Sequence, residues 1–142
     1  MKPKVYLETT IPSLLVARPS RDLIVAADQQ VTREWWRIRR RDFELFVSQV
    51  VLDEAAEGDK AAAAARLAGI RALPILEISR EVEDVARAVL NSGLIPVKAS
   101  NDALHLAVAA VHRMHFLLTW NCRHLANAAI SDRLASTCRQ AG

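Results

Sequence analysis

The chain has 142 residues, of which 51% are hydrophobic and 25% charged, with only 4 glycines and 5 prolines. That composition suits one domain with its own core and excludes intrinsic disorder, a collagen-like repeat and a disulfide-dense miniprotein. The 19 basic and 16 acidic side chains leave a net charge of +3, compatible with a nucleic-acid partner without requiring one.

In chain order, Lys4 to Leu7 are β-prone and run into Glu8-Thr9-Thr10, the pattern of a short buried strand with a polar end. A short helix is expected from Ile11 to Ala17, with Pro12 in its first turn. Pro19-Ser20 breaks the chain, and Ser20 suits the N-cap of a long helix from Arg21 to Arg41. Its residues Ile24, Ala27, Val31, Trp35 and Ile38 recur at the spacing of an amphipathic helix. Leu45 to Ser48 reads as a second strand, Gln49 to Glu57 as a helix stopped by Gly58.

Asp59 caps an alanine-rich helix ending near Ile70. Ile75 to Ile78 is a third strand, and Ser79 caps a helix with Val82, Val85, Ala86, Val89 and Leu90 in one stripe. Ser100 or Asn101 opens the next helix, with Leu104, Ala107, Val108 and Val111 on one face and His105 on the opposite side. Phe116 to Thr119 is a fourth strand ending in Trp120-Asn121, and short helical segments continue to about Cys138. Strands alternate with helices throughout, which predicts a parallel α/β sheet covered on both faces.

No segment resembles a membrane span: the apolar stretch from Ala103 to Val111 contains His105 and is too short. Lys2 and Lys4 ahead of an apolar run imitate a signal peptide, but Glu8 and Pro12 interrupt that run. Cys122 and Cys138 have no metal or redox spacing and read as unpaired thiols in a reducing cytoplasm. Nucleotide-binding glycine loops and the GxSxG elbow are absent. A receiver-like domain would need an acidic pair after the first strand, where Glu8 stands alone.

In a parallel sheet the reacting groups lie beyond the carboxyl ends of the strands. Glu8 follows the first strand, Glu54 lies early in the helix after the second, Asp102 opens the helix before the fourth, and Asn121 follows the fourth. Crowded carboxylates repel unless a cation intervenes, and hard oxygen donors suit Mg²⁺ or Mn²⁺. The same residues also have plain readings. Glu54 and Asp102 are favourable charges at helix N-termini, and Asn121 is a helix cap.

The opening Val5-Tyr6-Leu7-Glu8-Thr9-Thr10-Ile11-Pro12 resembles the first motif of PIN-domain nucleases. Asp102-Ala103-Leu104-His105-Leu106-Ala107 resembles their central acidic helix, and Leu118 to Asn127 resembles the motif after the fourth strand in a VapC-like toxin subfamily. The Pro19-Ser20-Arg21-Asp22 element and the Trp35-Trp36 pair fit that subfamily too.

The resemblance implies a single PIN-like nuclease domain over residues 1–142, three-layered α/β/α, with a mainly parallel central sheet of four or five strands. Similar proteins usually continue into a final strand after the last helix, and the sequence given stops at Gly142, ahead of the position expected for it. It implies a cytoplasmic endoribonuclease dependent on Mg²⁺ or Mn²⁺. Glu8, Glu54 and Asp102 would be metal ligands, and Asn121 would complete the catalytic set. Thr9, Thr10, Arg18 and Arg21 are the candidate substrate-binding residues. The partners it implies are RNA, a small cognate antitoxin and a second copy in a homodimer, with exposed apolar surface around the first helices serving either protein contact. Glu8 stands where most PIN domains carry Asp, and Asn121 where the position is often acidic. The alternative is therefore a weakened module that binds antitoxin or RNA without efficient cleavage.

Arg33, Arg37, Arg39, Arg40 and Arg41 interleave with Trp35 and Trp36. The stretch reads as a nucleic-acid surface, as a solvated face with one core tryptophan, or as a partner interface. His105, His112, His115 and His124 show no ligand spacing, although His124 falls close to the site.

Overall fold

A computed structural model describes residues 1–127 and 129–142. Four strands, β1 (Lys4–Leu7), β2 (Glu44–Ser48), β3 (Ile75–Leu76) and β4 (Phe116–Leu118), form one sheet in the order β3-β2-β1-β4. Every pairing is parallel, with Val5 opposite both Leu45 and Phe116. The α-helices are α1 (Thr10–Val16), α2 (Leu23–Glu34), α3 (Gln49–Ala55), α4 (Lys60–Ile70), α5 (Arg80–Asn91), α6 (Ser100–Val111) and α7 (Ser131–Ala141). α1 packs with α2 and α4, while α5 packs with α6 and α7, so the fold is the expected three-layer α/β/α. Among the described residues no helix is long and apolar enough to cross a membrane.

β1 lies inside the sheet, and Val5, Tyr6 and Leu7 are all buried, as a strand covered on both faces requires. Asp59 and Ser79 cap α4 and α5 through Ala62 N–H and Val82 N–H, as their positions suggest. Gly58 follows α3 with φ +81°, a conformation that glycine adopts without the Cβ penalty.

Four local expectations are corrected. Asp22, not Ser20, caps α2, accepting from Ile24 and Val25 N–H. The long helix changes pitch after Glu34, continuing as a π-helical turn over Trp35–Arg39 and a 3₁₀ turn over Arg40–Asp42. The third strand shortens to two residues. Ser131–Ala141 form one helix, α7, rather than several short ones.

α2 carries its apolar stripe outward. Leu23 is 86% exposed and Ile24 76%, and Val31 and Ile38 are exposed as well. The residues it buries are polar, Gln29 and Thr32. Gln29 spans the preceding loop, donating to Arg18 C=O and accepting from Ser20 N–H. Thr32 accepts from Trp120 Nε1–H at 2.7 Å and donates to Asp28 C=O. These bonds replace apolar burial as what seats α2.

Candidate functional site

The strand order places a topological switch beside β1: the chain first builds toward β2 and β3, then returns to lay β4 on the other edge of β1. Crevices open beyond the carboxyl ends of strands at such switch points. Glu8 is the first residue past β1, and its N–H donates to Leu118 C=O at the end of β4. The residue is only 5% exposed. Among the described residues no Lys or Arg pairs with it.

The hydroxyls of Thr10 and Thr119 both donate to Glu8 Oε1 at 2.6 Å. Hydrogen bonds from the described residues reach only Oε1, so Oε2 is left for a ligand. Thr10 Oγ1 also accepts from Trp120 N–H, and Thr119 Oγ1 from Asn121 N–H, which ties the segment after β4 to α1.

Glu54 is carried in by α3, but as the next-to-last residue of Gln49–Ala55 rather than in the first turns, so the expected reading of it as a charge at a helix N-terminus is corrected. Its Oε1 accepts from Thr9 Oγ1 at 2.6 Å and lies 2.6 Å from His105 Nε2, while Oε2 accepts from Asn101 Nδ2 at 3.2 Å. Burial pushes the Glu54 carboxyl up, but the bonds from His105, Thr9 and Asn101 outweigh it and hold the group below its usual range. Ligand atoms of Glu8, Glu54 and His105 all lie within 4.8 Å of one another. Two hard carboxylates fit a small divalent cation such as Mg²⁺ or Mn²⁺, while both ring nitrogens of His105 are taken up by Glu54 Oε1 and the Tyr6 hydroxyl. The Oε2 of Glu8 would be a donor to such an ion.

Of the expected ligands, Glu8 and Glu54 come together. Asp102 is not in that group: its Oδ2 pairs with His124 Nδ1 at 2.7 Å. Asn121 serves its own turn, with Oδ1 accepting from His124 N–H and its backbone C=O from Ala126 N–H. Thr9 and Thr10 are spent on the two carboxylates. Arg18 and Arg21 are exposed in the loop before α2, and no hydrogen bond reaches their guanidinium groups among the described residues.

His105, read from its spacing as lying away from the buried face, is in fact fully buried. The reason is that α6 packs on α5 along one flank and meets α3 and β4 along others, so Ala103, His105, Ala107, Val108 and Ala109 are all covered. Spacing likewise does not mark Thr119 or Tyr6 as site residues. A usable signal existed for Tyr6, because period-two alternation puts Tyr6 and Glu8 on one face of the strand.

Arg40 and Arg41 directly precede β2 and therefore lie by the amino ends of the strands, whereas Arg33 donates to Leu15 C=O and Ala17 C=O at the end of α1. Arg40 sits 3.9 Å over the Trp36 ring, Arg39 pairs with Asp42, and Trp35 stacks on Phe43. A cavity of about 490 Å³ opens between α6 and α7, but none of the acidic residues lines it. A smaller apolar cleft of about 260 Å³ is bordered by Ile11, Val31, Trp35 and Trp120 and ends at Thr119. Compared with protein-family models, with curated proteins and with solved structures, the chain matches none.

Proposed function

We propose that this chain is a divalent-metal-dependent endoribonuclease, the cytoplasmic toxin of a toxin–antitoxin pair, as its resemblance to VapC-like PIN domains implies. The observation that carries the reading is the grouping of Glu8, Glu54 and His105 within 4.8 Å at the switch point of a parallel sheet. Mg²⁺ or Mn²⁺ held there would lower the pKa of a nearby water and offset negative charge gathering on a phosphate. The chain's own part is to keep two carboxylates fixed. Thr10 and Thr119 orient Glu8, and Thr9, Asn101 and His105 orient Glu54. Arg18 and Arg21 are exposed and available to RNA phosphates.

The outward apolar stripe of α2, with Leu23, Ile24 and Val31, supports a protein partner, whether the antitoxin or a second copy. One observation favours the weaker reading of a binding module: Asp102 is engaged by His124 instead of joining the other two carboxylates.

The test is a cleavage assay. Antitoxin-free protein is incubated with end-labelled RNA in Mn²⁺, Mg²⁺ or EDTA, beside Glu8→Gln and Glu54→Gln. Metal-dependent cleavage that both substitutions abolish is expected. Cleavage persisting in EDTA or in either variant overturns the proposal, and RNA or antitoxin binding without any cleavage selects the module.

A further inference from the structure

Glu54 is held by an imidazole that reaches no solvent. His105 is fully buried; its Nε2 lies 2.6 Å from Glu54 Oε1 and its Nδ1 lies 2.7 Å from the Tyr6 hydroxyl. That hydroxyl meets Ser48 Oγ at 2.8 Å, and Tyr6 and Ser48 are both fully buried. Four elements thus contribute to one unbroken line: Ser48 closes β2, Tyr6 is central in β1, His105 comes from α6 and Glu54 from α3.

Hydrogen-bond logic orders this line. An ionised carboxylate only accepts, so His105 Nε2 carries the proton that faces Glu54. In the neutral ring Nδ1 then accepts from the Tyr6 O–H, and the Tyr6 oxygen accepts from Ser48 O–H. Burial pushes the Tyr6 phenol up, which keeps it a donor. Ser48 is committed so fully that, although it stands at the N-cap of α3, its side chain makes no capping bond. A leucine would fill the volume of His105 without burying polar atoms that each need a partner. The arrangement serves direction rather than bulk.

Its result is an asymmetric carboxylate. Oε1 of Glu54 takes two bonds of 2.6 Å, while Oε2 takes only the 3.2 Å bond from exposed Asn101. Glu8 repeats the pattern, with both hydroxyls on Oε1. We infer that His105 and Tyr6 are positioning residues, which fix Glu54 so that Oε2 faces the cation. This rests on the reading of Glu8 and Glu54 as cation ligands. Outer partners of this kind typically govern metal affinity by about 10–100-fold.

The test titrates Mn²⁺ into the 142-residue chain and follows the free ion by electron paramagnetic resonance. His105→Leu is expected to weaken binding by about 10–100-fold, and His105→Gln, whose amide nitrogen can still donate to Oε1, to restore most of it. Equal affinity in wild type and folded His105→Leu, with Glu8→Gln still weakening binding, overturns the positioning role and leaves the cation site intact. No Mn²⁺ binding by the wild type overturns the site itself and this inference with it. Nitrogen-15 NMR of histidine-labelled wild type is a check that needs no variant. The proton is expected on Nε2 of His105, and a proton on Nδ1 with Nε2 bare overturns the inference.

Discussion

Asp102 and His124 meet at 2.7 Å, Oδ2 to Nδ1, and both are largely shielded. Asp102 thus has a partner of its own, whereas Glu8, Glu54 and His105 bring their ligand atoms within 4.8 Å of one another. The three carboxylates are therefore not equivalent. Glu8→Gln and Glu54→Gln are expected to weaken Mn²⁺ binding by at least about tenfold, and Asp102→Asn by less. Isothermal titration of the three variants checks the ranking, and an Asp102→Asn loss as large as the other two would contradict it.

Glu54 makes stability depend on acid. Its folded carboxyl lies below the ordinary value of 4.5, so the unfolded chain takes up the proton first as pH falls. The contribution is present above the ordinary value and is lost as pH drops through the folded one. Wild type should exceed Glu54→Gln in stability at about pH 6, with the gap closing toward about pH 3. Urea midpoints measured across that range report it. A gap that is constant or widens in acid refutes the assignment.

The Tyr6 hydroxyl joins Ser48 to His105 in the core. Tyr6→Phe strands both partners and should cost about 1–3 kcal/mol. Adding Ser48→Ala removes one stranded group and should recover part of that loss. Chemical denaturation of the single and double variants checks it, and an unchanged midpoint in Tyr6→Phe would remove the hydroxyl from the network.

On α2 the usual ranking of substitutions should invert. Ile24→Ser alters an exposed position and should stay within about 0.5 kcal/mol. Gln29→Leu removes the bonds to Arg18 C=O and Ser20 N–H and should cost about 1–3 kcal/mol. Thermal melts of the two variants decide the matter. Ile24→Ser should in addition weaken capture of any protein partner that covers the stripe.

Most of the architecture is visible in the residue pattern because the strands are short apolar runs and the caps are chemically explicit. Asp59 and Ser79 are examples, each followed by a helix held to its side chain. α2 is harder to read because periodicity reports that an apolar face exists and says nothing of which way it turns. Its orientation is decided by Gln29 and Thr32, whose partners Arg18, Ser20 and Trp120 are set by tertiary structure. In the same way Glu8 and Glu54 are legible as strand-end carboxylates, whereas His105 is not. Its role depends on α6 being covered on several sides, which one-dimensional spacing does not encode.

The two hydroxyls that grip Glu8 enter the chain at very different times. Thr10 follows Glu8 by 2 positions, and Thr119 by 111. At ordinary synthesis rates of about 5–20 residues per second, the second grip is made on the order of ten seconds after the first. A nascent chain that already carries Glu8 and Glu54 still lacks β4, the edge strand that closes the crevice. Whatever chemistry the centre performs is thus withheld from a nascent chain until the segment that carries β4 and Thr119 has been made.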